Sequence, residues 1–148
     1  MSSTSDPKTD KAPGNPTDAE PPPTKAIGDD VRVVGVGRAG VRIVSRLAEL
    51  PEAAWLKFAV VDSDKTTLAA SPVTRNHLYG EKWTQGMGCG GNVLKGERAI
   101  AQAQKSGSEI KQFITKASLL FIVSGFGGGT GTGGTTILAR MAAHADVP

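Results

Sequence analysis

The run Gly127-Gly128-Gly129-Thr130-Gly131-Thr132-Gly133 constrains this chain more than any other stretch. It follows Ser118-Leu119-Leu120-Phe121-Ile122-Val123-Ser124, an apolar run of strand length, and precedes a helical pattern that continues to about Ala145. Consecutive glycines remove every Cβ, so successive backbone N–H groups can wrap an anion as a nest. Thr130 and Thr132 add hydroxyl donors, and Thr135 and Thr136 fall in the expected first helical turn. A packing turn needs one or two glycines rather than this many. The loop from 125 to 131 is therefore read as a phosphate-binding turn between a buried strand and a helix.

The rest of the sequence supplies the sheet that such a turn belongs to. Val31-Arg32-Val33-Val34-Gly35-Val36 and Lys57-Phe58-Ala59-Val60-Val61 are short apolar runs that read as buried strands. Between them, Val41, Val44, Leu47 and Ala48 recur at helical spacing in a helix predicted over Ala39–Leu50, stopped by Pro51. A short helix is expected from Ser63 to Ala70, and a brief third strand over Asn76–Gly80. Residues 96–116 read as helical, with Ile100, Ala103, Ile110, Phe113 and Ile114 on one face. Gly107 interrupts this segment, and Ser108 is placed to cap its second part. Strands alternating with helices give an α/β class: a doubly wound parallel sheet, Rossmann-like, with ligands bound at the strands' carboxyl ends.

Two regions differ in composition. Residues 1–29 are rich in proline and polar side chains, with almost nothing to bury, and are expected to form a disordered tail. Residues 30–148 form the folded domain. Within 1–30, Lys8, Lys11 and Lys25 face Asp6, Asp10, Asp18, Glu20, Asp29 and Asp30, a balance of −3. The total is +3, so the remainder carries +6, which suits a polyanionic ligand. The basic residues are scattered without aromatic interleaving, which argues against nucleic acid as the partner. Cys89 is the one cysteine, so there is no internal disulfide, and no Cys/His spacing points to zinc. No run is apolar and long enough to span a bilayer as a helix, and no secretory leader pattern is present. A cytoplasmic location is expected.

The opening loop, Gly35-Val36-Gly37-Arg38-Ala39-Gly40, also turns a strand into a helix. Asp62 ends the next strand about twenty residues on, where a dinucleotide-binding fold places its ribose-binding acid. A dinucleotide-binding Rossmann domain is therefore one alternative, although it leaves the loop at 125–134 unexplained.

Four motifs in order resemble those of the tubulin/FtsZ superfamily. Gly-Gly-Gly-Thr-Gly-Thr-Gly is similar to its signature loop. Val33-Val34-Gly35-Val36-Gly37 with Gly40 resembles the first nucleotide loop of FtsZ, the bacterial cell-division GTPase. Val61-Asp62-Ser63-Asp64 resembles its Val-Asn-Thr-Asp stretch, and Gly86-Met87-Gly88-Cys89-Gly90-Gly91-Asn92 its third loop. The likeness covers about 30–148. It implies that Gly35, Gly37 and Gly40 approach the α- and β-phosphates of GTP or GDP, with Arg38 able to pair with phosphate. It implies that Asp64 lies near the phosphates and their Mg²⁺, and that Gly90, Gly91 and Asn92 face the γ-phosphate. Gly127, Gly128, Gly129, Thr130, Gly131, Thr132 and Gly133 would cradle the phosphates. It implies no metal held by the protein alone.

The departures carry expectations too. Arg38, Ala39, Val41 and Arg42 stand where the family favours more glycines and an asparagine, and Asp62 replaces the usual asparagine. The family's guanine-recognising residues, its central helix and its acidic catalytic loop would lie beyond Pro148, so no catalytic residue is assigned. The resulting expectation is a GTP-binding protein of the cell-division and cytoskeletal GTPase family, with hydrolysis impaired or dependent on another chain. The alternative is a non-hydrolysing module that docks on FtsZ-like subunits. Self-association is expected in either case, because the strand at 118–124 would present an apolar edge.

Overall fold

The computed structural model describes residues 29–148, so all but the last residue of the tail assigned to 1–29 lies outside the described residues. The elements are β1 (Val31–Val36), α1 (Gly37–Ala48), β2 (Lys57–Asp62), α2 (Lys65–Ala69), β3 (Asn76–Leu78), α3 (Glu81–Thr84), α4 (Val93–Ile100), α5 (Glu109–Thr115), β4 (Leu119–Ser124) and α6 (Gly129–Ala143). The four strands form one sheet in the order β3-β2-β1-β4. Every pairing is parallel. This is the doubly wound α/β sheet expected from the alternation of strands and helices.

β1 is central and buried along its whole length, which is why it reads as an unbroken apolar run. Its alternate side chains feed two cores. Val33 packs with Val60, with Val41 and Val44 of α1, and with Leu68 of α2. Val34 and Val36 face the other way, onto Ile100, Ile110, Ile114 and Leu138 from the helices after β3. Each such side chain, fully buried, contributes roughly 1.5–3 kcal/mol. β4 is the outermost strand on its side, and Phe121 is 53% exposed there. The Leu120 N–H donates to the Pro148 carbonyl at 2.8 Å.

Several boundaries differ from the sequence reading. α1 starts at Gly37 rather than Ala39, directly off the strand. α6 starts at Gly129, so Gly129, Thr130 and Gly131 belong to its first turn and the loop closes at Gly128. The segment expected as one helix over 96–116 is three pieces: α4, a 3-10 turn at Ala101–Gln104, and α5. Gly107, at φ +82°, makes the break. Ser108 occupies the N-cap position of α5 without capping it. Its hydroxyl instead pairs with the Tyr79 hydroxyl at 3.0 Å. α3 and the 3-10 turn at Pro51–Ala53 were not foreseen.

Candidate phosphate-binding site

Parallel strands end at one edge, so the segments after β1, β2 and β4 meet there. Val36 lies in register with both Val61 and Ser124. The Gly86–Gly91 loop joins them through the segment after β2. The Gly88 N–H donates to the Ser63 carbonyl at 3.0 Å, and the Lys65 N–H to the Gly86 carbonyl at 2.8 Å. Asp64 and Met87 form a bridge. All four motifs therefore share one edge.

Two helices begin at this edge without a side-chain cap, α1 at Gly37 and α6 at Gly129. Their first backbone N–H groups have no carbonyl in the preceding turn to receive them. Gly37, at φ +68°, brings the two heads together: a Cβ there would lie 2.7 Å from the Gly131 nitrogen. The adjacent heads concentrate N–H donors and the positive ends of two helix dipoles. By contrast, Asp64 caps α2 by accepting from the Thr66 N–H, and Asn92 caps α4 by accepting from the Lys95 N–H, both at 2.9 Å.

Most glycines of the motifs fall into two sets. A Cβ on Gly90, Gly91, Gly127 or Gly128 would meet nothing within 4 Å, so these four border open space. Gly35, Gly40, Gly129, Gly131 and Gly133 are packed instead against backbone. Gly35 faces Gly40, Gly40 faces the Val123 carbonyl, and Gly133 faces the Val93 carbonyl of α4. In this second set, the missing side chain allows elements to touch.

The hydroxyls are also committed within the protein. The Thr130 and Ser63 hydroxyls lie 2.6 Å apart, with the Cys89 thiol 3.2 Å from Ser63. Cys89 is buried, as a small loop residue would be. The Gly127 N–H donates to the Thr132 hydroxyl oxygen at 3.0 Å, which pins the loop to the second turn of α6. The sequence reading treated Thr130 and Thr132 as donors toward a ligand. The structure shows them first as braces.

Arg38 reaches from α1 to Asp64, with 3.0 Å between guanidinium and carboxylate, and its side chain remains 71% exposed. Burial acts to raise the Asp64 pKa. The Arg38 guanidinium, the Thr67 and Thr66 N–H groups and the Thr67 hydroxyl outweigh it, and the net shift is downward. Arg38 stands between two cavities. One, of about 300 Å³, is bordered by Gly125, Phe126, Gly128 and Thr130. The other, of about 410 Å³, is bordered by Asp64, Thr66 and Thr67. Arg42, one helical turn on, lines both cavities; the sequence marks it only as a departure from the family's loop, although its i, i+4 spacing puts it on the same helix face as Arg38.

Asp62 does not reach this space. It is 2% exposed, its Oδ1 accepts from the Ser63 N–H at 2.7 Å, and its Oδ2 has no partner among the described residues. Burial pushes its pKa up, and the neighbouring Asp64 adds to the rise. A carboxyl turned inward in this way is not placed to hold a ribose, which removes the main support for a dinucleotide site.

Among the described residues, no helix is long and apolar enough to cross a membrane.

Residues 30–147 match the family described as Tubulin/FtsZ family, GTPase domain. The chain is 36% identical over 111 residues to cell division protein FtsZ 1 of Methanocaldococcus jannaschii, covering 75% of this chain and 29% of that protein. It is 37% identical over 110 residues to cell division protein FtsZ 2 of Haloferax volcanii, covering 74% and 26%. Its fold is similar to an empty FtsZ dimer from M. jannaschii, with a TM-score of 0.72 at 33% identity over 80% of this chain and 33% of that one. It is also similar to CetZ2 of Haloferax volcanii in a GTPγS-bound protofilament, with a TM-score of 0.70 at 30% identity over 80% and 37%. The chain thus spans less than a third of the length of these curated relatives.

Proposed function

The chain belongs to the tubulin/FtsZ family through its GTPase domain, and from that premise we propose that its strand carboxyl edge binds GTP or GDP by the phosphates. One observation carries the reading: the uncapped heads of α1 and α6 lie together beside the open backbone of Gly127 and Gly128. The N–H groups of Gly129, Thr130 and Gly131 bind phosphate oxygens at the head of α6, and those of Arg38 and Ala39 do so at the head of α1. Gly90 and Gly91 leave room on the wall that Asn92 closes. The Arg38 side chain exchanges Asp64 for phosphate.

Among the described residues, no group of three His, Cys, Asp or Glu is gathered to cage a metal. A Mg²⁺ brought with the nucleotide would be held largely by phosphate oxygens and water, with Asp64 as the carboxylate bordering the cleft. The ion would neutralise phosphate charge.

Neither carboxylate at this edge is free to orient a water. Asp62 is buried, and Asp64 stays committed to the head of α2 through the Thr66 N–H once Arg38 turns to phosphate. These residues bind nucleotide, and hydrolysis draws its water-positioning group from elsewhere in the family's assembly. The proposed setting is a cytoplasmic cell-division or cytoskeletal filament formed by self-association. The similarity to an FtsZ dimer and a CetZ2 protofilament supports this setting.

Titration with a fluorescent GTP analogue and Mg²⁺ tests the proposal, with saturable binding displaced by GDP as the expected result. Folded protein that binds neither nucleotide at high micromolar concentration would sink it. A second reading is a module that joins FtsZ-like filaments without turnover, and the similarity to a CetZ2 protofilament supports it. Co-sedimentation with such filaments supports that reading, and unchanged filament assembly in its presence rejects it.

A further inference from the structure

Away from the strand carboxyl edge, α5, β3 and the amino ends of β1 and β2 enclose a cavity of about 400 Å³. It shares no lining residue with the two cavities beside Arg38. Its size is that of a small-ligand pocket. Arg32, Lys57, Arg75 and Lys116 bring four cations to it, and His77 lies among them.

The charge is only partly balanced. Asp30 pairs with Arg32 and, at 3.0 Å, with Lys57. Glu109 stands on the wall, 3.9 Å from His77 Nδ1. Among the described residues, neither Arg75 nor Lys116 has a carboxylate within ion-pair distance. Four cations against two carboxylates leave a surplus of two positive charges.

The site is also organised. Arg32 is 9% exposed, and its guanidinium donates to the Phe113 carbonyl at 2.6 Å. The Phe113 ring holds two guanidiniums, with Arg32 at 5.1 Å from its centroid and Arg75 at 5.6 Å. Ring contacts of this kind fix a planar fork whose N–H groups match phosphate oxygens. His77 Nε2 is buried and has no hydrogen-bond partner among the described residues.

We propose that this cavity binds a phosphate group, either inorganic phosphate or the phosphomonoester of a small metabolite, through Arg75 and Lys116. Two oxygens take the Arg75 fork, Lys116 and Lys57 supply point charge, and a dianion matches the surplus. This site is independent of the proposed nucleotide edge.

The imidazole of His77 is the reporter. Burial holds its pKa down and Arg75 adds to that, while Glu109 opposes them. An anion seated on Arg75 offsets the repulsion and lets His77 take a proton at higher pH. His144, exposed at the end of α6, is the control. Histidine ring NMR signals are followed while sodium phosphate or glycerol phosphate is added at constant ionic strength.

The expected result is a saturable shift of His77 with either or both anions, while His144 stays still. An R75A/K116A double variant, at two exposed positions, weakens the effect by roughly tenfold or more. An R38A variant leaves it unchanged. A response to inorganic phosphate alone identifies free phosphate as the ligand, and one to glycerol phosphate alone identifies a phosphomonoester. Equal movement of both histidines, reproduction by sodium chloride, or no loss in the double variant overturns the proposal.

Discussion

Replacing Asp62 by asparagine is expected to stabilise the protein at about pH 8 and to change little at about pH 4. Asp62 is 2% exposed, and one of its two carboxylate oxygens has no partner among the described residues. Burial raises its pKa above the ordinary 3.8. The sign follows from where the proton sits. Below the unfolded pKa, both states are protonated and the site costs nothing. As pH rises, the unfolded chain loses its proton first, and stability falls by up to about 1.4 kcal/mol per pH unit. The fall ends once pH passes the folded pKa. An asparagine keeps the acceptor that Ser63 uses and puts an uncharged amide where the unpartnered Oδ2 stands. Leaving a buried acceptor unpaired costs about 1–3 kcal/mol, more if charged, so the gain at about pH 8 should be of that size. At about 2.1 cal/mol/K of unfolding entropy per residue, a domain of about 120 residues gains roughly 4 °C per kcal/mol, or roughly 4–12 °C in all. Urea or thermal unfolding of both proteins across this range gives the difference directly, with titrations common to both cancelling. A difference that does not vary with pH, or a variant less stable at the alkaline end, refutes the argument.

The other predictions separate binding from packing at the same edge. Gly128→Ala should change stability by less than about 0.5 kcal/mol, since a Cβ there meets nothing and φ is −87°. Affinity for a fluorescent GTP analogue should nevertheless fall, because the methyl group enters the space left for phosphate. Gly37→Ala should cost at least about 2 kcal/mol in urea unfolding, as it combines φ +68° with a 2.7 Å clash against Gly131. Arg38→Ala should cost under about 1 kcal/mol, because its ion pair with Asp64 is largely solvated. It should weaken nucleotide binding and flatten its salt dependence, as read by titration at two ionic strengths.

The sheet was legible because burial on both faces forces continuous apolar runs. Val31–Val36 and Lys57–Asp62 fall where those runs stand. The helix break at Gly107 was legible as well, since a positive φ there is a local property of the chain. What stayed hidden depends on contacts between residues distant in sequence. The phosphate signature looked like a loop through Gly131, yet α6 begins at Gly129, since glycines that permit a nest also permit a helix to approach another backbone. A Cβ on Gly96 of α4 would overlap the Gly129 carbonyl, and no pattern near residue 96 announces that contact. The burial of Asp62, the Arg32–Phe113–Arg75 stack and the Thr130–Ser63 brace are hidden for the same reason.

This division changes what the glycine-rich signature means. An anion nest needs free N–H groups, which the uncapped heads of α1 and α6 supply, and space, which Gly127 and Gly128 border. It also needs a rigid frame, because a nest that must organise itself on binding loses affinity to the ordering of its own backbone. Gly129, Gly131 and Gly133 supply that frame by letting α6 lie directly against Asn92 and Val93 of the third loop and α4, and against Gly125. The Thr132 hydroxyl ties Gly127 to the same helix, and Thr130 ties it to Ser63. One sequence motif therefore holds two physical functions in succession, open backbone for the ligand and then closed backbone for the fold. Substitutions within it should fall into two classes, one losing affinity at constant stability and the other losing stability first.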